Sequence, residues 1–327
     1  MRLGRPLLGT VTLVLLAVCL LLTVDRVLAP GGTVAVVAMT FVGYAVVGYL
    51  ACLAAGLWLR HRTVRSRGRG ARRLWSTVSV VALLGAALPA GWLAPSYLGN
   101  HPSQEPTLTV LQLNTRFGRA DPQQVVQLAE SRAADVVVLE ELNARAAARL
   151  DSAGLGKLLP HRAGDADTGT MVFSRWPLRH PSALPVSKGA VRVQVASPRP
   201  FWVIGLHTTQ PLVSTARWQQ DLATVCRAVA RQHGAGVVVG DFNATLDHGP
   251  MRRLLGAGLH DAAQAGNSGW QPTWPSDGVA RVLGVPVPFS LFTLDHVLVT
   301  DRIGAVATRT ITVDGTDHKA LVASLVR

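Results

Sequence analysis

Hydrophobic and polar positions divide this chain into two unlike parts. Over the first hundred residues the apolar positions do not alternate. Residues 7–24, 34–59 and 75–93 form three continuous apolar runs. At about 1.5 Å of helical rise per residue, each is long enough to cross a hydrocarbon core of roughly 30 Å. Trp58, Trp75, Trp92 and Tyr97 stand at run ends, where interfacial aromatics are found. From residue 107 the pattern changes. Stretches 107–113, 135–139, 170–173, 190–196, 201–206, 237–239, 293–299, 305–313 and 321–326 alternate with period two or are continuously β-branched, and predict strands. Residues 122–132 and 214–233 carry helical spacing, the second stopped by Gly234. Many strands with few helices between them predict sheets packed face to face with helices outside. Residues 98–106, with Gly, Asn, two Pro and Ser, read as a linker. The expected organisation is a membrane anchor over 1–97, that linker, and a polar domain over 107–327.

Charge sharpens the first part. The formal net charge is +13, but residues 1–100 hold ten Arg against one acid, Asp25, while 101–327 hold 22 Lys and Arg against 18 acids. Seven of those Arg fall in 60–73, between the second and third apolar runs. The high charge therefore marks a membrane-flanking segment and is poor support for nucleic-acid binding. Arg2 and Arg5 before the first run would also suit a signal peptide, but two further runs favour an anchor. The positive-inside rule puts 60–73 and the N-terminus in the cytoplasm, and three spans then leave everything after Tyr97 outside. Of three Cys, Cys19 and Cys52 lie in apolar runs and Cys226 is left alone in the polar domain, which excludes a disulfide or zinc framework there.

In the polar domain one placement recurs. A polar residue stands at or just past the end of an apolar strand: Asn114, Glu140, His207, and Asp241 with Asn243. Asp295 and His296 lie inside TLDHVLV, and Asp317 and His318 precede KALVASL. In GVVVGDFN, period two would point Asp241 and Asn243 to one face and Phe242 to the other. Singly these are turn or cap residues, and GDFN could be only an Asx turn. Together they are hard oxygen ligands suited to Mg²⁺, with histidines to move protons, the makings of a metal-assisted phosphoester hydrolase.

The order QLNTR, VVVLEEL, TGTMVFSRWPL, VIGLHT, VVVGDFNAT, LDHVLV and GTDHKALVASL resembles the endonuclease/exonuclease/phosphatase superfamily over residues 107–327. The resemblance implies an α/β fold, a four-layered, DNase I-like sandwich with the site at one edge of the sheets. It implies Glu140, Asn114 and Asp317 as ligands of Mg²⁺, with Mn²⁺ as the alternative ion. It makes His318 the general base or a phosphate contact, with Asp295 fixing its tautomer. Asp241 and Asn243 orient water and phosphate, and His207 contacts the phosphate and protonates the leaving oxygen. Arg116 stands where several nuclease members carry an acid, which weakens a two-metal reading and adds a cation for phosphate. Arg175 is a further phosphate candidate, weighed against a structural ion pair. His296 is left out of catalysis. Loop 266–292, with Trp270, Trp274, Phe289 and Phe292, is either a binding rim or a packing loop.

The expected protein is thus a multi-pass membrane phosphoesterase working outside the cytoplasmic membrane, with the lipid bilayer and a lipid-linked phosphate as partners. Its architecture is similar to membrane-anchored actinobacterial members of glycopeptide-resistance clusters, which implies a role in teicoplanin resistance. The competing expectations are a surface-tethered nuclease and a non-catalytic receptor on the same fold.

Overall fold

The computed structural model describes residues 4–64, 68–98, 105–166, 169–276, 281–282 and 285–327. Most of the expected linker, part of the basic segment 60–73 and part of loop 266–292 lie outside these residues. By internal contacts the chain forms two units, Met1–Ala94 with Asp247–Gly249, and Pro95–Leu246 with Pro250–Arg327.

The first unit contains α1 (Gly4–Leu28), α2 (Thr33–Met39), α3 (Ala45–Val64) and α4 (Arg69–Leu93). Among the described residues three helical stretches are long and apolar enough to cross a membrane: Pro6–Leu28, Val42–Thr63 and Arg69–Ser96. The second expected run is not one helix. A 3₁₀ turn at Val42–Tyr44 separates α2 from α3, where the weak helix formers Thr40 and Gly43 fall close together. The basic segment is helical over most of its length, because α3 continues to Val64 and α4 begins at Arg69. Arginine is a good helix former, so charge alone does not end a helix.

The second unit is built in chain order from β1 (Leu108–Asn114), α5 (Pro122–Ser131), β2 (Val136–Glu140), α6 (Ala144–Ala153), α7 (Leu155–Leu158), β3 (His161–Asp165) and β4 (Thr170–Ser174). There follow β5 (Leu178–Ala183), β6 (Ala190–Val195), β7 (Phe201–His207), α8 (Pro211–Ala230), β8 (Gly236–Asp241), α9 (Gly249–Gly256), β9 (Leu259–Asp261) and α10 (Ala262–Ala265). A short hairpin, β10 (Arg281–Val282) and β11 (Val285–Pro286), precedes β12 (Asp295–Thr300), β13 (Gly304–Ile311) and β14 (Ala320–Val326). Two six-stranded sheets result, ordered β13-β14-β1-β2-β4-β3 and β5-β6-β7-β8-β12-β9. This is the expected layered α/β sandwich.

Alternation explains the packing. Val110, Val136 and Val138 of the first sheet meet Val203, Val237, Val239 and Val297 of the second in one buried core. The opposite face of the first sheet, Leu111, Leu113, Val137 and Leu139, packs with Val125, Leu128 and Leu150 of α5 and α6. On α8, Trp218, Leu222 and Val225 are buried. Asp121 caps α5 by accepting from Gln124 N–H, and Asn143 caps α6 the same way from Ala146. The sheets approach closely at Gly205, where a Cβ would meet Val138 and Val172 at 3.0 Å.

Candidate active site

Each candidate side chain inherits its position from strand parity. The inward positions of β1 are Leu108, Val110, Gln112 and Asn114; those of β2 are Val136, Val138 and Glu140. In the facing sheet the inward series end at His207 on β7 and Asp241 on β8, and begin with Asp295 on β12. At one end of both sheets polar groups thus take over the apolar parity. Register aligns them: Asn114 pairs with Glu140, His207 with Asp241, and Asp295 with Asp241. Gly240, at φ 150°, permits this approach, since a Cβ there would fall 1.9 Å from Leu206 O.

Asp241 is the hub. Asn114 Nδ2 donates to its Oδ2 at 3.1 Å. His207 Nε2 and His318 Nε2 lie 3.4 and 3.8 Å from the same oxygen. Its other oxygen accepts from Asn243 N–H at 2.9 Å. The Asx turn and the functional cluster are therefore one arrangement. Asn243 does not continue the strand. It adopts φ 47° and donates its amide to Thr208 O at 3.0 Å, so alternation does not carry it to the face of Asp241. Phe242 packs edge-on against His296, with ring centroids 5.6 Å apart.

His318 Nδ1 donates to Asp295 Oδ2 at 2.8 Å, which fixes the ring as expected. Burial opposes a charge there, but Asp295 and Asp241 override it and push the imidazole up to about 10. His318 is accordingly an imidazolium at neutral pH in the metal-free protein. Burial alone would raise Asp295, yet the His318 cation and hydrogen bonds from His318, Thr273 and Gln112 hold it below the usual carboxylate range. Asp241 is raised, by burial first and then by the Asp295 charge. His207 is buried and its imidazole is lowered, with burial outweighing the pull of Asp241.

Two residues beyond the sequence-based set complete the site. Gln112, fully buried, donates through Nε2 to Glu140 Oε2 at 2.8 Å and to Asp295 Oδ1 at 2.7 Å, joining the sheets. Glu141 turns out of the strand at φ 52°. Its carboxylate accepts from Phe117 N–H at 3.0 Å and Asn114 Nδ2 at 3.4 Å, and stands 3.9 Å from His207 Nε2. Glu140, the expected principal ligand, is sealed beneath with no exposure, and burial, Asp295 and Asp241 hold its carboxyl well above the ordinary range. Glu141 is the carboxylate that opens on the cleft.

The other candidates separate. Arg116, also in left-handed conformation, lies 3.9 Å from Asp317 Oδ1. Asp317 is thus at the rim facing Arg116 rather than inside the carboxylate cluster. Arg175 is corrected. Its Nε pairs with Asp135 Oδ1 at 3.5 Å, at the end of β2 opposite Glu140, so it is a structural ion pair away from the Asp241 cluster. His296 donates to Asp261 Oδ2 at 3.0 Å and to Ala244 O at 2.9 Å, and is structural as expected. In loop 266–292, Trp274 stacks on Phe292, while the Thr273 hydroxyl accepts from Leu294 and Asp295 N–H. That part of the loop buttresses the site.

A hard divalent cation fits these residues. Glu140, Asp241 and Asp295 concentrate negative charge in a buried space, and Glu140 Oε1 has no hydrogen-bond partner among the described residues. Ligand atoms of Asp241, Asp295 and His318 lie within 4.8 Å of one another. Because both ring nitrogens of His318 face carboxylates, we regard the oxygens as the ligating set and His318 as a charge carrier.

The pattern of the Endonuclease/Exonuclease/phosphatase family matches residues 111–318. Among curated protein sequences nothing matches. Several solved structures share the fold. A mannosyl-6-phosphatase from Bacteroides thetaiotaomicron VPI-5482 is similar at TM-score 0.54 and 13% identity, over 68% of this chain and 100% of its own. A D. rerio TDP2 complexed with single strand DNA product is similar at TM-score 0.54 and 14% identity, over 67% and 99%. An AP endonuclease from Archaeoglobus fulgidus is similar at TM-score 0.52 and 14% identity, over 66% and 98%.

Proposed function

The chain belongs to the endonuclease/exonuclease/phosphatase family, and on that premise we propose that it is a membrane-anchored, Mg²⁺-dependent phosphoesterase acting outside the cytoplasmic membrane on a lipid-linked phosphate or pyrophosphate of the cell envelope. The observation that carries the chemistry is Asp241, one buried carboxylate shared by Asn114, His207 and His318. Asp241, with Asn243 N–H on its other oxygen, orients the attacking water. His318, charged and held by Asp295, faces the phosphoryl oxygens and stabilises the charge that builds there. His207 and Asn243 orient the group, and Arg116 adds a cation at the rim. The oxygens of Glu140, Asp241 and Asp295 would hold the Mg²⁺, with Asn114 and Glu141 beside them. When bound, the ion neutralises charge on the phosphate.

The substrate class follows from anchoring. Three apolar spans raise the local concentration of a lipid-borne substrate and add little for a soluble one. The Arg bias of the segment between the second and third spans supports a cytoplasmic loop there and a phosphoesterase outside. The sequence resemblance to membrane-anchored actinobacterial members of glycopeptide-resistance clusters extends the proposal to teicoplanin resistance, and deletion of the gene should then lower the inhibitory concentration of teicoplanin. A reporter fused after Arg327 should be active only outside; cytoplasmic activity would sink the topology. The enzymatic test uses the full chain in detergent with prenyl pyrophosphate, p-nitrophenyl phosphate and plasmid DNA. We expect phosphate release from the prenyl substrate, lost with EDTA and reduced about 100-fold or more by Asp241→Asn or Glu141→Gln. Cleavage of DNA alone would refute the lipid assignment, and full activity in Asp241→Asn would refute the site.

A further inference from the structure

Beside His207 lies a cleft of about 540 Å³. Phe117, Glu141, Leu142, Leu184, Lys188 and His207 are among its lining. A single phosphoryl group at Asp241 and His318 needs little of this space. Lys188 is the one Lys or Arg among the described lining residues. Its side chain is exposed to the cleft, and its charge reaches His207.

The turn that carries Lys188 is fastened on three sides. Gly189 O accepts from His207 N–H at 2.9 Å and from Thr170 Oγ1 at 3.1 Å. Gly189 N–H donates to Val186 O, and Leu184 N–H to Ala190 O. On α8, the buried Asp221 accepts through Oδ1 from Ser187 N–H and Oγ–H, at 3.0 and 2.9 Å. Its Oδ2 accepts from Thr209 N–H at 2.9 Å, two residues past His207. One carboxylate thereby locks the Lys188 turn to the segment that carries His207. A lysine on a mobile loop would be a solvated surface charge; a lysine on a braced turn is pre-organised for an anion.

We propose that Lys188 forms a subsite for a second phosphoryl group, so that the preferred substrate is a diphosphate, its reacting group at Asp241 and its distal group in the cleft. This rests on the phosphoesterase reading above and selects the diphosphate within it. Charge-assisted hydrogen bonds to one phosphate amount to about 10- to 100-fold in affinity. Phe117 and Leu142 leave an apolar wall for whatever the diphosphate carries.

The experiment is calorimetric titration of the full chain in detergent and Mg²⁺ with inorganic pyrophosphate and with inorganic phosphate. Wild type should bind pyrophosphate about tenfold or more tightly than phosphate. Lys188→Ala should bring the two within about threefold, and Lys188→Arg should keep the preference. Lys188 is exposed, so the alanine variant should fold, and an unchanged melting curve checks this. A wild type with no preference, or a preference that survives Lys188→Ala, overturns the subsite. Binding is read apart from turnover. Absent hydrolysis with the pyrophosphate preference intact would count against the phosphoesterase reading alone.

Discussion

Replacing Gln112 by Leu tests how the two sheets are joined. The leucine keeps most of the volume and removes two hydrogen bonds to carboxylates, at 2.8 Å to Glu140 and 2.7 Å to Asp295. All three residues are fully buried, so water does not screen the loss. Hydrogen bonds to charged groups contribute about 1.5–3 kcal/mol each. Asp295 retains His318 as a partner, which puts its share at the low end. The buried Gln112 Oε1, unpartnered among the described residues, disappears and returns about 1 kcal/mol. The net expectation is a loss of about 2–4 kcal/mol. For a unit of this size that lowers Tm by roughly 5–15 °C. The loss also depends on pH. Glu140's carboxyl is held above its ordinary value, so the folded protein takes up a proton between the two values. The cost of burying the ionised form is therefore small in acid and grows as pH rises. Removing a donor to that form makes the variant's deficit larger near pH 8 than near pH 5. Thermal unfolding of the metal-free full chain in detergent, followed by near-ultraviolet circular dichroism at both pH values, measures this. A drop below about 2 °C, or a larger drop at the lower pH, would refute the reasoning.

His318→Ala should lower kcat by about 10²- to 10⁴-fold. In EDTA it should also destabilise the protein, because the imidazole is raised from 6.5 to about 10. Stability from a raised histidine is full below the unfolded value of 6.5 and lost as pH rises through about 10. The difference in Tm between wild type and variant should therefore shrink from neutral pH to about pH 10.5; a constant difference would contradict the ion pair. Asp221→Asn weakens the acceptor of three hydrogen bonds. It should raise KM for a pyrophosphate substrate by about 3- to 10-fold with kcat within about twofold; an equal fall in kcat alone would contradict a positioning role.

Much of the fold and the outline of the site can be read from residue order, for one reason. Inward parity on β1, β2, β7, β8 and β12 is written as alternating Val and Leu, and the break to Asn114, Glu140, His207, Asp241 and Asp295 is visible. The elements that escape notice lack that contrast. β3 and β5 are edge strands whose residues are mostly exposed, so no apolar stripe marks them. α6 buries only Ala146 and Leu150, and its alanines and arginines read as neither core nor surface. Gln112 looks like an ordinary strand residue, and nothing local announces a partner 183 positions away. Glu140 and Glu141 are adjacent and chemically identical. Only the left-handed backbone at Glu141 decides which carboxylate meets the cleft. Arg175 carries the right charge for phosphate, but strand direction puts it at the wrong end of the sheet.

The seam position of the site governs when the protein becomes active. Gln112 and Asn114 come from the first strand of the phosphoesterase and Glu141 from the turn after the second; Asp241, Asp295 and His318 come from far later in the chain. Loop closure over such separations is costly and late in folding. Neither sheet alone holds a competent set of groups, and a growing chain stays inert until the segment bearing His318 has been made and the sheets have docked. Recovery of hydrolysis in a refolding experiment is then a marker of sheet docking, delayed behind the signal of the strands themselves.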